Sequence, residues 1–196
     1  MEKILVTDID SVLEDIMPTL NDFYNRTHGT NFRLEDYIYY DLERVWGGTK
    51  EEAVKAVAEF YESPDFDEIE PIEFSQEAIS ILSKKYRVIS VTSRPEFTRE
   101  RTEKKFHKKY PSIKKILFTG DYSKSYDKMS KLTICLMEGA EIIIDDHPLI
   151  TLECSNHGLI SLLFGEDWKR DNLFKNIKLN GVIPVKNWKK VLEHLI

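Results

Sequence analysis

Two carboxylates, two positions apart, follow the first apolar run of the sequence. Residues 4–6 are Ile, Leu and Val, and Asp8 and Asp10 lie just beyond them. A short run of this kind predicts a strand. Residues that follow a strand of an open α/β sheet lie at its carboxyl edge, where such sheets bind ligands. We therefore expect Asp8 and Asp10 to act together in a ligand-binding loop.

A second acidic pair has the same relation to another apolar run. Asp145 and Asp146 directly follow residues 142–144, which are all Ile. If the two strands are parallel neighbours, four carboxylates meet at one edge, and their repulsion calls for a cation. An all-oxygen set without His or Cys suits Mg²⁺. The plainer interpretation is that each acidic pair only caps a helix or decorates a loop.

Hydroxyl groups and a basic segment complete the set of reactive side chains. Thr92, Ser93 and Arg94 follow the apolar run 88–91, and a lysine-bearing segment precedes the second acidic pair. Hydroxyls at a strand end can hold a phosphoryl oxygen. Carboxylates, a hydroxyl and a lysine at one edge indicate phosphoryl transfer. Arg94 could reach a substrate phosphate or base, or it could equally bind a carboxylate of the acidic segment 14–74.

The elements that position these groups form a regular alternation. Continuous apolar runs, separated by stretches long enough for a helix, predict strands that are covered on both faces. The expected fold is α/β, a Rossmann-like, mostly parallel sheet flanked by helices. Pro184 places the last run at the edge of the sheet, because proline cannot donate to a neighbouring strand. The six runs are residues 4–6, 88–91, 116–118, 142–144, 159–164 and 182–185.

One segment interrupts this alternation. Residues 14–74 are far longer than a crossover helix requires, carry a net charge of −11 and hold 11 of the 22 aromatic residues. Thr49 and Glu52 form the pattern of a capping box, which predicts a helix to about Glu62. We expect residues 1–13 and 75–196 to form the core domain, and residues 14–74 to form a small helical cap.

The ordered motifs resemble those of the haloacid dehalogenase (HAD) superfamily. Its first motif, Asp-x-Asp-x-[Thr/Val], matches residues 8–12; its second, a Thr or Ser after a strand, matches Thr92; and its fourth, Asp-Asp, matches residues 145–146. The third motif is a lysine that opens a helix. Lys131 is preferred, because residues 131–140 lead into the Asp-Asp strand; Lys124 and Lys128 are alternatives.

Within the superfamily, the insertion lies where a type I cap is found, and the chain resembles the small-capped 5′(3′)-deoxyribonucleotidase group. The residues that carry this likeness are 8–13, 92–95, 162–164, Trp168 and Trp188. Ser11 departs from the glycine that is common in that group. A serine should fit the turn if its backbone angles are ordinary.

The resemblance implies catalysis by two aspartates. Asp8 attacks phosphorus to form an aspartyl-phosphate, and Asp10 protonates the leaving alkoxide and then activates water. Mg²⁺ would be held by the Asp8 carboxylate, the Asp10 main-chain carbonyl and the late acidic pair, with Asp146 as the direct ligand and Asp145 supporting it.

The same resemblance assigns the remaining phosphoryl oxygens to Thr92 and Lys131, with Ser93 assisting. The cap would select the substrate. Its aromatic residues could stack on a nucleobase or could simply form the core of the cap. They include Phe23, Tyr24, Tyr40 and Trp46.

Several functions fit these residues. The favoured one is Mg²⁺-dependent hydrolysis of nucleoside or deoxynucleoside monophosphates. A phosphatase of sugar phosphates or other small metabolites is an alternative. A receiver-like signalling domain uses similar parts in another order, with a lone phosphorylated Asp on the third strand, for which Asp121 is the candidate.

Charge and hydropathy limit the partners and the compartment. Against 28 Lys and Arg stand 34 Asp and Glu, a net charge of −6 that does not attract duplex nucleic acid or anionic lipid. No apolar run reaches the roughly 18 residues of a membrane helix, so we expect a cytoplasmic protein. The expected partner is a small phosphorylated substrate. Residues 84–131 carry +10. They form a solvated face or pair with the acidic cap of the same chain or, in a homodimer, of a second one.

Overall fold

The six apolar runs form one parallel sheet, as predicted. The computed structural model describes residues 2–120 and 129–196. The sheet has the order β5-β4-β1-β6-β7-β8, every neighbouring pair is parallel, and Pro184 lies on an edge strand. Within these residues the strands are β1 (Ile4–Thr7), β2 (Glu14–Asp15), β3 (Glu70–Pro71), β4 (Arg87–Thr92), β5 (Ile116–Phe118), β6 (Ala140–Asp145), β7 (Ile160–Phe164) and β8 (Val182–Val185).

Helices cover both faces of the sheet. Because successive side chains of a strand point to opposite faces, Leu5 lies in the cluster beneath α4, α5 and α8, whereas Val6 lies in the cluster beneath α6 and α7. No helix in the described part of the chain is long and apolar enough to cross a membrane. The helices are α1 (Ile16–His28), α2 (Leu42–Trp46), α3 (Lys50–Glu62), α4 (Ser75–Leu82), α5 (Arg99–Lys109), α6 (Lys131–Glu138), α7 (Pro148–Asn156) and α8 (Trp188–Leu195).

The segment 14–74, called the insertion below, carries α1, α2 and α3. The predicted capping box is present: the Glu52 N–H donates to the Thr49 hydroxyl, and the Thr49 N–H donates to the Glu52 carboxylate. The insertion has an apolar cluster of its own. The buried members of this cluster are Ile16, Leu20, Phe23, Val57, Phe60, Tyr61, Phe66 and Ile69.

The chain enters and leaves the insertion side by side. Strands β2 and β3 form a two-stranded antiparallel sheet in which Glu14 lies opposite Pro71, and Asp15 lies opposite Glu70. The two connections between the insertion and the main sheet are therefore neighbours.

Helix α5 fastens the insertion to the core. Arg101, Lys105 and Lys109 are spaced four residues apart, so they lie on one face of the helix. Their side chains donate to main-chain carbonyls of the insertion, and Arg101 also pairs with Asp67 at 2.9 Å. This contact matches the expectation that the basic stretch pairs with the acidic insertion of the same chain. The accepting carbonyls belong to Tyr61, Ser63, Phe66 and Ile69.

The condition under which a serine fits this turn, ordinary backbone angles, is not met at Ser11. Ser11 has φ 61°, in the left-handed region. The turn imposes this angle, because the N–H groups of Leu13 and Glu14 both donate to the Ile9 carbonyl while the Ser11 N–H donates to the Glu14 carbonyl. A left-handed conformation costs an L-residue roughly 1–2 kcal/mol.

Candidate active site

The two predicted acidic ends meet at one edge of the sheet, around a lysine. Asp8 follows β1, and Asp145 ends the neighbouring strand β6. Lys131, the first residue of α6, places its Nζ atom 2.7 Å from Oδ2 of Asp8 and 2.7 Å from Oδ2 of Asp145. All three side chains are buried. The lysine chosen from the sequence thus contacts both acidic motifs, whereas Lys124 and Lys128 lie outside the described residues.

Three carboxylates form a group of the size that binds a metal ion. Oxygen atoms of Asp8, Asp145 and Asp146 all lie within 4.8 Å of one another. Burial raises the pKa of Asp8 to about 7; attraction by Lys131 opposes this rise, and repulsion by Asp145 adds to it. Burial, followed by repulsion from Asp145 and Asp8, also raises the pKa of Asp146. A divalent cation would relieve this crowding, and the all-oxygen donor set fits Mg²⁺.

Hydrogen bonds orient the carboxylates of this group. The Ile9 N–H donates to Oδ1 of Asp8 at 2.8 Å, on the side away from Lys131. The His147 N–H donates to Oδ1 of Asp145 at 2.9 Å, so both Asp145 oxygens accept a bond. Each of these two carboxylates is therefore held by one main-chain donor and by the lysine.

The side chain of Asp10 turns toward Arg94 and is not part of the group of three. Nε of Arg94 lies 3.0 Å from Oδ2 of Asp10, and Nη2 lies 2.6 Å from Oδ1. The same Nη2 atom donates to Glu14 at 2.7 Å. Of the two partners left open for Arg94 from the sequence, the structure therefore has it on carboxylates, one of them in the insertion.

The second motif lies at the end of β4, next to β1. Thr92 is buried, and its hydroxyl accepts from the Arg94 N–H at 3.2 Å. Ser93 is partly exposed, and its hydroxyl accepts from Thr119 at 3.4 Å. Asp121, the candidate acceptor of the receiver-like alternative, lies outside the described residues.

A cavity of about 420 Å³ lies between the insertion and the loop that follows β7. It touches Ser11 and Asp146, so it opens next to the three carboxylates. Aromatic side chains form much of its wall, namely Tyr37, Tyr39, Tyr40, Phe164 and Trp168. Its charged lining is mostly acidic, with Asp15, Asp146, Asp167 and Asp171 against Arg170.

The predicted base-stacking residues have different surroundings. Trp46 stacks on Tyr24 with ring centroids 3.9 Å apart, and it is not part of the cavity wall. Phe23 is buried in the core of the insertion. Tyr40 does line the cavity, and its hydroxyl donates to the Asp146 carbonyl at 2.7 Å.

Tyr37 and Tyr39 also line the cavity and were not among the residues predicted from the sequence. The signal was present, because three tyrosines fall within four positions, at 37, 39 and 40, in a stretch without helical spacing.

Comparisons with known proteins show the family and the fold of the chain. The family model for the 5′ nucleotidase, deoxy (pyrimidine), cytosolic type C proteins matches residues 2–196. Among solved structures, the chain is similar to a haloacid dehalogenase-like hydrolase from Streptococcus pneumoniae, with TM-score 0.71, 15% identity, and coverage of 100% of this chain and 99% of that one. The comparison with curated proteins found no significant match.

Two further solved structures share the fold. One is a HAD-superfamily hydrolase of subfamily IA from Geobacter sulfurreducens, with TM-score 0.60, 13% identity, and coverage of 100% of this chain and 97% of that one. The other is a magnesium-bound protein from Bacillus subtilis assigned to the HAD hydrolases, with TM-score 0.60, 14% identity, and coverage of 99% and 98%.

Proposed function

Because this chain belongs to the family of 5′ nucleotidase, deoxy (pyrimidine), cytosolic type C proteins and is a phosphatase of the HAD type, we propose that it hydrolyses nucleoside and deoxynucleoside monophosphates with the help of Mg²⁺. The observation that carries the proposal is the position of the Asp8, Lys131 and Asp145 cluster beside a cavity walled by tyrosines. The family assignment sets aside the receiver-like alternative.

The metal would be held by oxygen ligands at the carboxyl edge of the sheet. We assign it to the carboxylates of Asp8 and Asp146 and to the main-chain carbonyl of Asp10, with Asp145 in support. Asp146, not Asp145, is taken as the direct ligand because Asp146 lines the cavity, whereas Asp145 is fully buried behind it. When bound, Mg²⁺ offsets the negative charge between the nucleophile and the phosphate.

Asp8 acts as the nucleophile. One of its carboxylate oxygens bonds to phosphorus as the ester P–O bond breaks, and Asp10 gives its proton to the departing alkoxide oxygen. Asp10 then takes a proton from a water molecule, whose oxygen attacks the aspartyl-phosphate. Inorganic phosphate leaves, and the Asp8 carboxylate is restored.

The remaining groups hold the phosphoryl oxygens. Strand β4, which lies next to β1, ends at Thr92 and is followed by Ser93. Helix α6 begins at Lys131, which contacts Asp8. Lys131 pairs with the Asp8 carboxylate before the reaction. As negative charge moves from Asp8 to the phosphoryl oxygens, the ammonium group can stabilise it there. The hydroxyls supply neutral donors.

The cavity favours an uncharged, flat leaving group. Its volume is in the range of small-molecule sites, and tyrosine faces can stack on a nucleobase. Its acidic lining repels a second anionic group on the substrate. Sugar phosphates would use the same catalytic residues but would leave the aromatic wall without a partner.

We also propose the division of the chain that the sequence indicates, with core domain 1–13 and 75–196 and cap 14–74. The separate apolar cluster of the insertion and the paired connections β2 and β3 support it.

The experiment that tests the function is a screen of deoxynucleoside, ribonucleoside and sugar monophosphates in the presence of Mg²⁺, with kcat/KM measured for each. We expect nucleotides to exceed sugar phosphates by at least about tenfold. A flat or sugar-biased profile would contradict the nucleotidase proposal. The Asp8→Asn variant, purified in the same way, controls for a contaminating phosphatase.

A further inference from the structure

A buried arginine joins the proposed acid, Asp10, to the first residue of the insertion. The Arg94 side chain is fully buried. Two of its nitrogens bind the two oxygens of Asp10, and one of these nitrogens also donates to Glu14. Paired contacts between a guanidinium and a carboxylate fix the direction of both groups, which a single contact does not.

The surroundings hold the guanidinium in place. Glu14 is fully buried, and Lys105 lies 3.3 Å from its other oxygen. The guanidinium lies over the ring of Phe66, 5.0 Å from the centroid. Burial opposes the charge of Arg94, but the attraction of Asp10 and Glu14 outweighs it and raises the pKa. Arg94 is therefore a fixed, permanently charged anchor.

Arg94 has almost no surface with which to bind a substrate, whereas Asp10 keeps 22% of its side chain exposed. We infer that Arg94 is a positioning residue for Asp10. It sets the direction in which the Asp10 carboxyl group, in its protonated form, presents its proton to the leaving-group oxygen. The inference rests on the proposed function, in which that proton moves to the alkoxide as the P–O bond breaks.

This role has a specific kinetic consequence. An alkoxide is a strong base and needs the proton as it leaves, while p-nitrophenolate is a weak base and can leave without it. General acid catalysis is worth about 10²–10⁴ in rate. Loss of the Asp10 orientation should therefore slow nucleotide hydrolysis more than hydrolysis of p-nitrophenyl phosphate.

The test compares both substrates in the Arg94→Lys variant, which keeps the charge but loses the paired contact. We expect kcat/KM to fall about 100-fold for a deoxynucleoside 5′-monophosphate and less than about tenfold for p-nitrophenyl phosphate. Equal losses on the two substrates would overturn the inference.

Arg101→Gln is the matched control. Arg101 also lies over Phe66, 4.9 Å from the ring centroid, and binds carbonyls of the insertion, but its contacts do not include Asp10. It should leave the ratio of the two kcat/KM values unchanged. A ratio that moves as far in Arg101→Gln as in Arg94→Lys would mean that any loosening of the insertion has this effect, and would also overturn the inference.

A double-mutant cycle provides a second criterion. If Arg94 acts through Asp10, the Arg94→Lys change should have no further effect on nucleotide hydrolysis in an Asp10→Asn background; additive losses contradict the inference. Thermal unfolding is followed for every variant. If Arg94→Lys does not fold, Arg94→Gln combined with Glu14→Gln removes one charge of each sign, and the same ratio applies.

The two proposals fail differently. A wild-type chain that hydrolyses neither substrate overturns the proposed function and the role of Arg94 with it. An active wild type with uniform losses in the variant overturns the role of Arg94 alone.

Discussion

The ammonium group of Lys131 contacts Asp8 and Asp145 at the same distance, 2.7 Å. The lysine thus bridges the ends of two strands that are distant in the sequence and adjacent in the sheet. One positive charge offsets only part of the negative charge of the buried carboxylates. The contact therefore contributes to folding, and a metal ion can offset the negative charge that remains.

Replacing Lys131 should weaken the fold. Lys131→Met removes the only ammonium that contacts Asp8 in the described structure, and breaking a buried ion pair in this way costs about 3–5 kcal/mol. Urea denaturation without divalent cations measures the loss. Lys115→Met, which breaks the more exposed pair with Glu138, should cost no more than about 1 kcal/mol. Equal losses of unfolding free energy in the two variants would show that the buried contacts of Lys131 stabilise the fold no more than an exposed ion pair does.

Asp8→Asn should abolish turnover and keep the fold. The amide retains the size of the carboxylate but is a very poor nucleophile toward phosphorus, so kcat should fall by at least about 10³-fold. Phosphate release measures the loss, and circular dichroism with thermal unfolding checks the fold. Full activity in this variant would rule out the aspartyl-phosphate mechanism.

Removal of divalent cations should stop the reaction, and added Mg²⁺ should restore it. Asp146→Asn should raise the Mg²⁺ concentration for half-maximal activity at least about tenfold, because it removes a charged ligand. Calorimetric titration with Mg²⁺ gives the affinity without reference to activity. Asp167→Asn, a change of equal charge at a cavity residue outside the group of three carboxylates, should bind Mg²⁺ nearly as the wild type does.

A second phosphate should make a nucleotide a poor substrate. We expect kcat/KM for a 3′,5′-bisphosphate to be at least about tenfold below that of the 5′-monophosphate, because the cavity lining is mostly acidic. Asp167→Asn should narrow this gap. Asp22→Asn, which changes the net charge by the same amount on an exposed position of α1, should not. An unchanged gap in both variants would mean that the lining does not set the preference.

Aromatic residues of the insertion should divide into two classes. Tyr39→Ala should raise the KM for nucleotides about tenfold, since stacking is worth ~1–3 kcal/mol per base. It should leave the KM for sugar monophosphates unchanged, because they have no base to stack. Trp46→Ala should instead lower the free energy of unfolding, because Trp46 stacks on Tyr24 and donates to the Tyr37 hydroxyl. The opposite pattern would place the base near Trp46.

Most of the fold could be predicted from the sequence, because its signals are local. Each run of buried strand is continuous and apolar, and Pro184 alone was enough to place β8 at an edge. The meeting of Asp8 with Asp145 followed from one assumption, that β1 and β6 are parallel neighbours, and the sheet has them so.

Other parts depend on contacts that leave no periodic pattern. Strands β2 and β3 have two residues each, too few for any alternation of side chains. The left-handed angle at Ser11 comes from hydrogen bonds that close the turn, not from its own side chain. The partners of Arg94 and the cavity wall at Tyr39 arise only when the insertion lies on the core, so neither could be read from spacing.

The pairing of β2 with β3 brings the two ends of the insertion together, so that the segment between them can be replaced as a unit. Asp15 and Glu70 face each other across the ladder, so excision of residues 16–69 leaves two chain ends that a tight hairpin turn can join. A segment of different length or composition can be grafted at the same two points without changing the strand order of the main sheet. Because the excised residues include Phe66, over which the Arg94 guanidinium lies, a graft at this junction can also change how Asp10 is oriented.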